Sequence, residues 1–185
     1  MVPLSGMIRA TEPREPTLIP YRDFVKEYKG LDREAFLAKV RDPHLVLHTT
    51  LNPEESDEPT ARFLTIQFRP SQAGEVDAGP QAVIPVVKRH GANAFTMMIT
   101  IGRAMNNDIV LPDARVSKFH CYLRRVGTAW VVSDANSTNG TKVEEVELPT
   151  ERSLPLRSGA QLVLGGTLVL EFLEPAGLHE RIRQA

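Results

Sequence analysis

The chain has a single cysteine, Cys121, a single tryptophan and no long hydrophobic run. One cysteine excludes an internal disulfide and any thiolate-rich metal cage, and it suits a reducing compartment. Cys121 falls between His120 and Tyr122 in a strand-like run, the setting of a buried, inert thiol rather than a nucleophile. No uninterrupted apolar stretch approaches the roughly 18 residues that a transmembrane helix needs. The amino terminus, MVPLSGMIRATEPREP, lacks the charged start, apolar centre and small-residue cleavage site of a secretory signal, so a cytoplasmic location is expected. A large charge of one sign is also missing. The 22 lysines and arginines against 23 acids leave a net charge of −1, which provides no global field for nucleic acid or an anionic membrane. P-loop, dinucleotide fingerprint and paired-carboxylate patterns are absent, so the expectation is a non-enzyme with no catalytic residue, cofactor or metal.

A hydrophobic content of 42% in 185 residues is enough to bury a real core, and fits one principal domain with an appendage. Residues 1–20 hold four prolines and little periodicity, and read as a flexible tail. Phe24, Val25 and Tyr28 then recur at helical spacing, with Gly30 placed for a left-handed C-terminal residue. A second helix is expected from the N-cap Asp32, with Leu31 stapled against Phe36, and Arg41-Asp42-Pro43 ends it. This hairpin is too short to stand alone and must dock on something larger. His44 and His48 have the i, i+4 spacing of a helical metal pair, but Pro43 and the β-favouring Leu45 to Thr50 point to an extended segment instead. The acidic, proline-bearing stretch Asn52 to Thr60 reads as a linker, and Arg69 to Gln81 as a loop.

Beyond the hairpin nearly everything reads as strand. Arg62–Phe68 alternates, Ala82–Val87 is β-branched with Pro85 marking an edge or bulge, and Phe95–Ile101 runs into a glycine. Asp108–Leu111, His120–Val126, Ala129–Ser133, Ala160–Leu164 and Thr167–Leu173 follow, separated by turn chemistry such as Val126-Gly127-Thr128. Many short strands with glycine-rich turns and no intervening helix mean an all-β sandwich.

Three clusters sit at the ends of these strands: Gly102-Arg103 with Asn107-Asp108-Ile109, then Ser117-Lys118-Phe119-His120, then Ser137-Thr138-Asn139-Gly140-Thr141. Residues 102–125 carry Arg103, Arg115, Lys118, Arg124 and Arg125 against Asp108 and Asp113, so anion binding can be local. Gly102 lets the chain turn off a strand, and the planar fork of Arg103 suits phosphate bidentately. Asn106, Asn107 and Asp108 can bond neighbouring backbone and read as scaffold for that arginine. Ser117 and Lys118 place a hydroxyl beside an ammonium, able to donate to different oxygens of one phosphate. His120 is expected to bond across the loop and fix the backbone under Ser117. The third cluster is dense in residues that bond their own backbone, and Asn139-Gly140 is a hairpin signal in itself, but the carboxamide of Asn139 can also bond an extended peptide.

Two other chemistries are tested by the same residues. Asp134, Asn136, Thr138 and Glu145 resemble a calcium loop, yet Asn139 stands where glycine is required. Ser117, His120 and Asp134 have the residue types of a hydrolase triad, but no G-x-S-x-G elbow presents the serine.

The ordered set G-R, N-D-I-V-L, V-S-x-x-H, D-x-N-S-T-N-G-T and L-R-S-G-A-Q-L-V-L-G resembles the forkhead-associated (FHA) domains, phosphothreonine-binding modules of bacterial type here with an N-terminal helical extension. The resemblance implies an FHA/SMAD-like β-sandwich of about eleven strands over 82–174. Around it are expected a tail (1–20), a helical hairpin and acidic linker (21–60), a joining strand and loop (61–81) and a C-terminal tail (175–185). It implies that Arg103, Ser117 and Lys118 hold phosphate, that Thr138 and Asn139 line the phosphothreonine and bond the peptide chain, and that Gly102, Asn107, His120 and Gly140 support the site. Phe119 stands where the family commonly has a polar residue between the serine and the histidine. The implied function is a phosphopeptide-reading adaptor in Ser/Thr kinase signalling, whose partner is a Ser/Thr kinase or a phosphothreonine-containing protein. The alternative is a phosphate-independent assembly module that uses the same fold and the N-terminal extension.

Overall fold

The computed structural model describes residues 18–51 and 79–185. The expected strand Arg62–Phe68 and the acidic linker Asn52–Thr60 lie outside the described residues. Two antiparallel-dominated sheets face one another. The larger contains β1 (Ile19–Pro20), β2 (His44–Leu47), β3 (Ala82–Pro85), β8 (Thr141–Val143), β9 (Val146–Glu147), β11 (Ala160–Leu164) and β12 (Leu168–Leu173), in the order β1-β3-β2-β12-β11-β8-β9. The smaller contains β4 (Ile99–Gly102), β5 (Ile109–Val110), β6 (Cys121–Val126), β7 (Ala129–Asp134) and β10 (Ser153–Leu156), in the order β10-β7-β6-β4-β5. The described residues thus form twelve strands, in keeping with a sandwich of about eleven, and β4 with β5 is a parallel pair.

Alternation places the core between the sheets. Leu45, Leu47, Ile84, Ile101, Leu123, Leu162, Leu170 and Phe172 point inward and are almost entirely buried, and Cys121 is among them. Burial pushes the Cys121 thiol up, away from the reactive thiolate. Every residue of β2 is buried, so its alternation disappears. The reason is a second layer: Val46, Val83 and Leu173 on the outer face are covered by α1 (Tyr21–Tyr28), α2 (Arg33–Lys39) and α3 (Pro175–Arg183). The N-cap is as the residue chemistry demands, with Asp32 Oδ1 accepting the Ala35 N–H at 2.8 Å. Gly30 follows α1, but its backbone is not left-handed, and Lys29 ends that helix in right-handed geometry.

The sandwich reaches beyond 82–174 on both sides. β1, within the expected tail, pairs with β3, and β2 lies between β3 and β12. Residues 175–183 are not a tail: Pro175 opens α3, and Leu178 and Ile182, one turn apart, bury against the helical hairpin and Leu173. Arg181 of α3 pairs with Glu171 of β12, which also accepts from His48 at 3.1 Å.

His44 and His48 share a face of an extended strand, about 13 Å apart along it, and make unrelated contacts. His44 stands beside the Phe24 ring with Nδ1 2.9 Å from the Asp42 carbonyl. Burial pushes the His44 imidazolium down to about 4, only partly offset by the Asp42 carbonyl and charge. Its folded pKa lies below its unfolded one, so the unfolded chain binds the extra proton as pH falls. The contribution is therefore whole above about pH 6.5 and is lost progressively down to about pH 4, amounting to about 3 kcal/mol. Urea titrations at pH 7.5 and 4.5 should show wild type losing more stability than His44→Phe, and parallel losses in the two proteins would count against this assignment.

Candidate functional site

The three clusters converge at one rim. At Gly102, the last residue of β4, the loop before β6 passes too close for a side chain: a Cβ there would lie 2.3 Å from the Lys118 carbonyl oxygen and 2.8 Å from Asn107 Nδ2. The Arg103 N–H donates to the Ser117 carbonyl at 3.0 Å and the Ala104 N–H to that of Lys118 at 3.2 Å. Asn107 closes the same turn, its buried carboxamide donating to the Ala104 and Lys118 carbonyls at 2.8 and 2.6 Å. Arg103, half-buried, and Ser117 therefore emerge side by side from two loops with one hydrogen-bonded base.

His120 is fully buried and spans the second and third clusters. Its Nδ1 accepts the Ser117 N–H at 3.0 Å, which leaves the ring proton on Nε2 to donate to the Gly140 carbonyl at 3.1 Å. Burial pulls its pKa below the usual histidine range, although Gly140 and Asp134 oppose the shift. The neutral imidazole is the form that these two bonds need, and protonation would cost one of them.

The third loop is built on Asp134. Its carboxylate accepts from the Ser137 N–H at 2.8 Å, the Ser137 hydroxyl at 2.7 Å and the Thr141 hydroxyl at 2.6 Å. Burial works to raise its pKa, but these bonds outweigh it and hold the carboxyl below its usual range. Asn136 and Gly140 take positive φ, 60° and 76°, so Asn139-Gly140 belongs to this loop and not to a two-residue hairpin. The loop is fastened to the second: the Thr138 N–H donates to Ser117 Oγ at 3.0 Å, that hydroxyl lies 3.3 Å from Thr138 Oγ1, and Asn139 Nδ2 donates to the Arg115 carbonyl at 3.0 Å. One amide hydrogen of Asn139 is thus committed, which orients the exposed carboxamide.

Arg103, Ser117, Thr138 and Asn139 are thereby brought to one hydrogen-bonded rim, with Lys118 exposed next to Ser117. A buried network beneath it escaped the reading of the residues. Asp108 accepts from the Thr100 and Arg89 N–H groups at 2.8 and 2.9 Å and pairs with Lys88 at 2.8 Å. Burial raises its pKa, but Lys88 and the backbone donors prevail and hold it below the carboxylate range. Asp108 was visible as scaffold, whereas Lys88, Asn93 and Thr100 carried no local signal because they are drawn in from other elements. Arg115, counted among the local cations, is bound to the buried Asp113 at 2.5 Å, a pairing that stiffens the loop.

The fold is a two-sheet β-sandwich with three hydrogen-bonded loops gathered at one rim and a helical layer over one sheet. Residues 99–165 match the FHA domain family. The chain is 32% identical over 128 residues to the oxoglutarate dehydrogenase inhibitor of Corynebacterium jeikeium, across 61% of this chain and 86% of that protein. It is 35% identical over 71 residues to the FHA domain-containing protein FhaB of Mycolicibacterium smegmatis, across 38% of this chain and 44% of FhaB. It thus spans less than half the length of FhaB. The solved FHA domain of an Arabidopsis thaliana protein is 20% identical with a TM-score of 0.46, covering 73% of this chain and 86% of that one. The protein belongs to the forkhead-associated domain family.

Proposed function

We propose that this protein is a phosphothreonine-peptide binding adaptor in Ser/Thr kinase signalling, its partner a Ser/Thr kinase or a phosphothreonine-containing protein. The observation that carries the reading is the convergence of the Arg103, Ser117 and Thr138-Asn139 loops, joined to one another by backbone and side-chain hydrogen bonds before any ligand arrives. In this reading the Arg103 guanidinium, the Ser117 hydroxyl and the Lys118 ammonium donate to the dianionic phosphate. Thr138 lines the phosphothreonine and Asn139 anchors the peptide main chain. Because the rim is already assembled, little ordering accompanies binding and the loops need move little.

The FHA family resemblance further supports a small pocket for the threonine methyl, worth about 0.8 kcal/mol or roughly fourfold in affinity. Matched phosphothreonine, phosphoserine and unphosphorylated peptides, titrated against the full chain by fluorescence anisotropy, should rank in that order. Equal binding of phosphorylated and unphosphorylated peptides would sink the reading.

A second reading is favoured by one observation. The relative of which this chain covers 86% is named for inhibiting an enzyme, which raises phosphate-independent assembly with a folded partner, using the α1–α2 extension. Partner capture that survives both phosphatase treatment and Arg103→Ala would favour assembly over phosphopeptide reading.

A further inference from the structure

The segment between β3 and β4 carries features that phosphate binding leaves unused. Phe95 is 48% exposed and Met97 83%, and Met105, on the loop after Gly102, is 43% exposed. Single exposed apolar side chains are ordinary, but Phe95 is not isolated. The Phe95 ring stacks on Phe119 with centroids 5.8 Å apart and planes 13° from parallel, and Phe119 stacks on Tyr122 at 6.2 Å and 24°. Tyr122 lies between the inward Cys121 and Leu123, so the rings form a ladder from the rim onto the outer face of the smaller sheet.

The ladder is held stiffly. Asn93 Oδ1 accepts the Phe95 N–H at 3.0 Å and Lys88 Nζ at 2.6 Å, while Asn93 Nδ2 donates to Thr100 Oγ1 at 3.1 Å and the Asn106 carbonyl at 3.0 Å. The Arg89 guanidinium donates to the Met105 carbonyl. These bonds tie the Phe95 loop to the loop that presents Arg103, and Phe119 itself stands between Lys118 and His120. A rigid, partly exposed aromatic stack continuous with a binding rim loses little entropy when covered, which is the character of an interface anchor.

We infer that the Phe95–Phe119 stack is an apolar subsite that takes a large apolar side chain of the bound phosphothreonine peptide, a leucine, methionine or phenylalanine within a few residues of the phosphate. The inference rests on the phosphopeptide reading and adds the class of sequence recognised. Reach supports it, since an extended peptide advances roughly 3.3 Å per residue, and a phosphate at Ser117 and Lys118 puts its near neighbours over Phe119. Phe119, which replaces the polar residue common in the family, is the chain's own departure and the centre of the stack.

The test scans leucine through four positions on either side of phosphothreonine in an otherwise glycine-alanine peptide, with each peptide titrated against the full chain. One position should improve affinity about tenfold over glycine, the scale of burying one such side chain. Phe95→Ala and Phe119→Ser should each cut that advantage to below about threefold. Val126→Ala, at the other end of β6, should keep it. Phosphate-dependent binding with no leucine advantage at any position overturns the subsite and leaves the phosphopeptide reading intact, as does an advantage that survives both aromatic substitutions. Equal binding of phosphorylated and unphosphorylated peptides overturns both.

Discussion

Arg103→Ala should weaken phosphothreonine-peptide binding by two to three orders of magnitude while leaving the fold in place. The half-buried guanidinium can give a phosphate two parallel charge-assisted hydrogen bonds, each worth about 1.5–3 kcal/mol. Losing about 3–4 kcal/mol is a factor of roughly 100 to 1000 in Kd. The bond that joins this loop to the second cluster is a backbone one, the Arg103 N–H donating to the Ser117 carbonyl, and alanine retains it. Arg103→Lys keeps the charge but not the fork and should recover only part of the loss. Calorimetric titration beside a thermal melt checks both halves. An unchanged Kd would remove Arg103 from the site, and a collapsed melt would make it a structural residue.

Gly102→Ala should destabilise the fold strongly for a single added methyl. The new Cβ would meet the Lys118 carbonyl oxygen at 2.3 Å and its carbon at 2.9 Å, and these are backbone atoms. They cannot retreat freely, because that carbonyl accepts from Ala104 and from Asn107. Overpacking costs about 1–3 kcal/mol and a disrupted buried hydrogen bond about as much again. A net loss of about 3 kcal/mol lowers Tm by roughly 6–12 °C in a chain of this size. Phosphopeptide affinity should fall with it, since Arg103 and Ser117 would part. Gly30→Ala is the control: open space surrounds that position and its φ is not positive, so its melt should match wild type. Equal melts for all three proteins would mean that β4 and the Lys118 loop part without cost.

The outlines of the strands at Ala82, Ile109, Cys121, Ala129, Ala160 and Leu168 were legible because each alternates or is β-branched between turn residues. β8 and β9 were not. Their connection places Glu144 and Glu145 at φ of 49° and 67°, a turn that asparagine and glycine usually announce, so the sequence carried no sign of it. Asn139-Gly140 announced such a turn and instead serves a longer loop organised by Asp134. α3 did carry a signal, in Pro175 followed by Leu178 and Ile182, but nine residues cannot show from periodicity alone what surface they will cover.

What the residues alone determined is chemistry and local geometry: strands where alternation is strong, an N-cap at Asp32, a turn off the strand at Gly102, and hydroxyl, amide and guanidinium groups gathered at strand ends. The tertiary structure decided who meets whom. It placed β2 between β3 and β12, drew Lys88 to Asp108 and Asn93 to the Asn106 carbonyl, and laid Phe95 on Phe119. Local propensity acts over a few residues, whereas these pairings join groups far apart in the chain, and their partners are chosen by burial and sheet register across the whole sandwich.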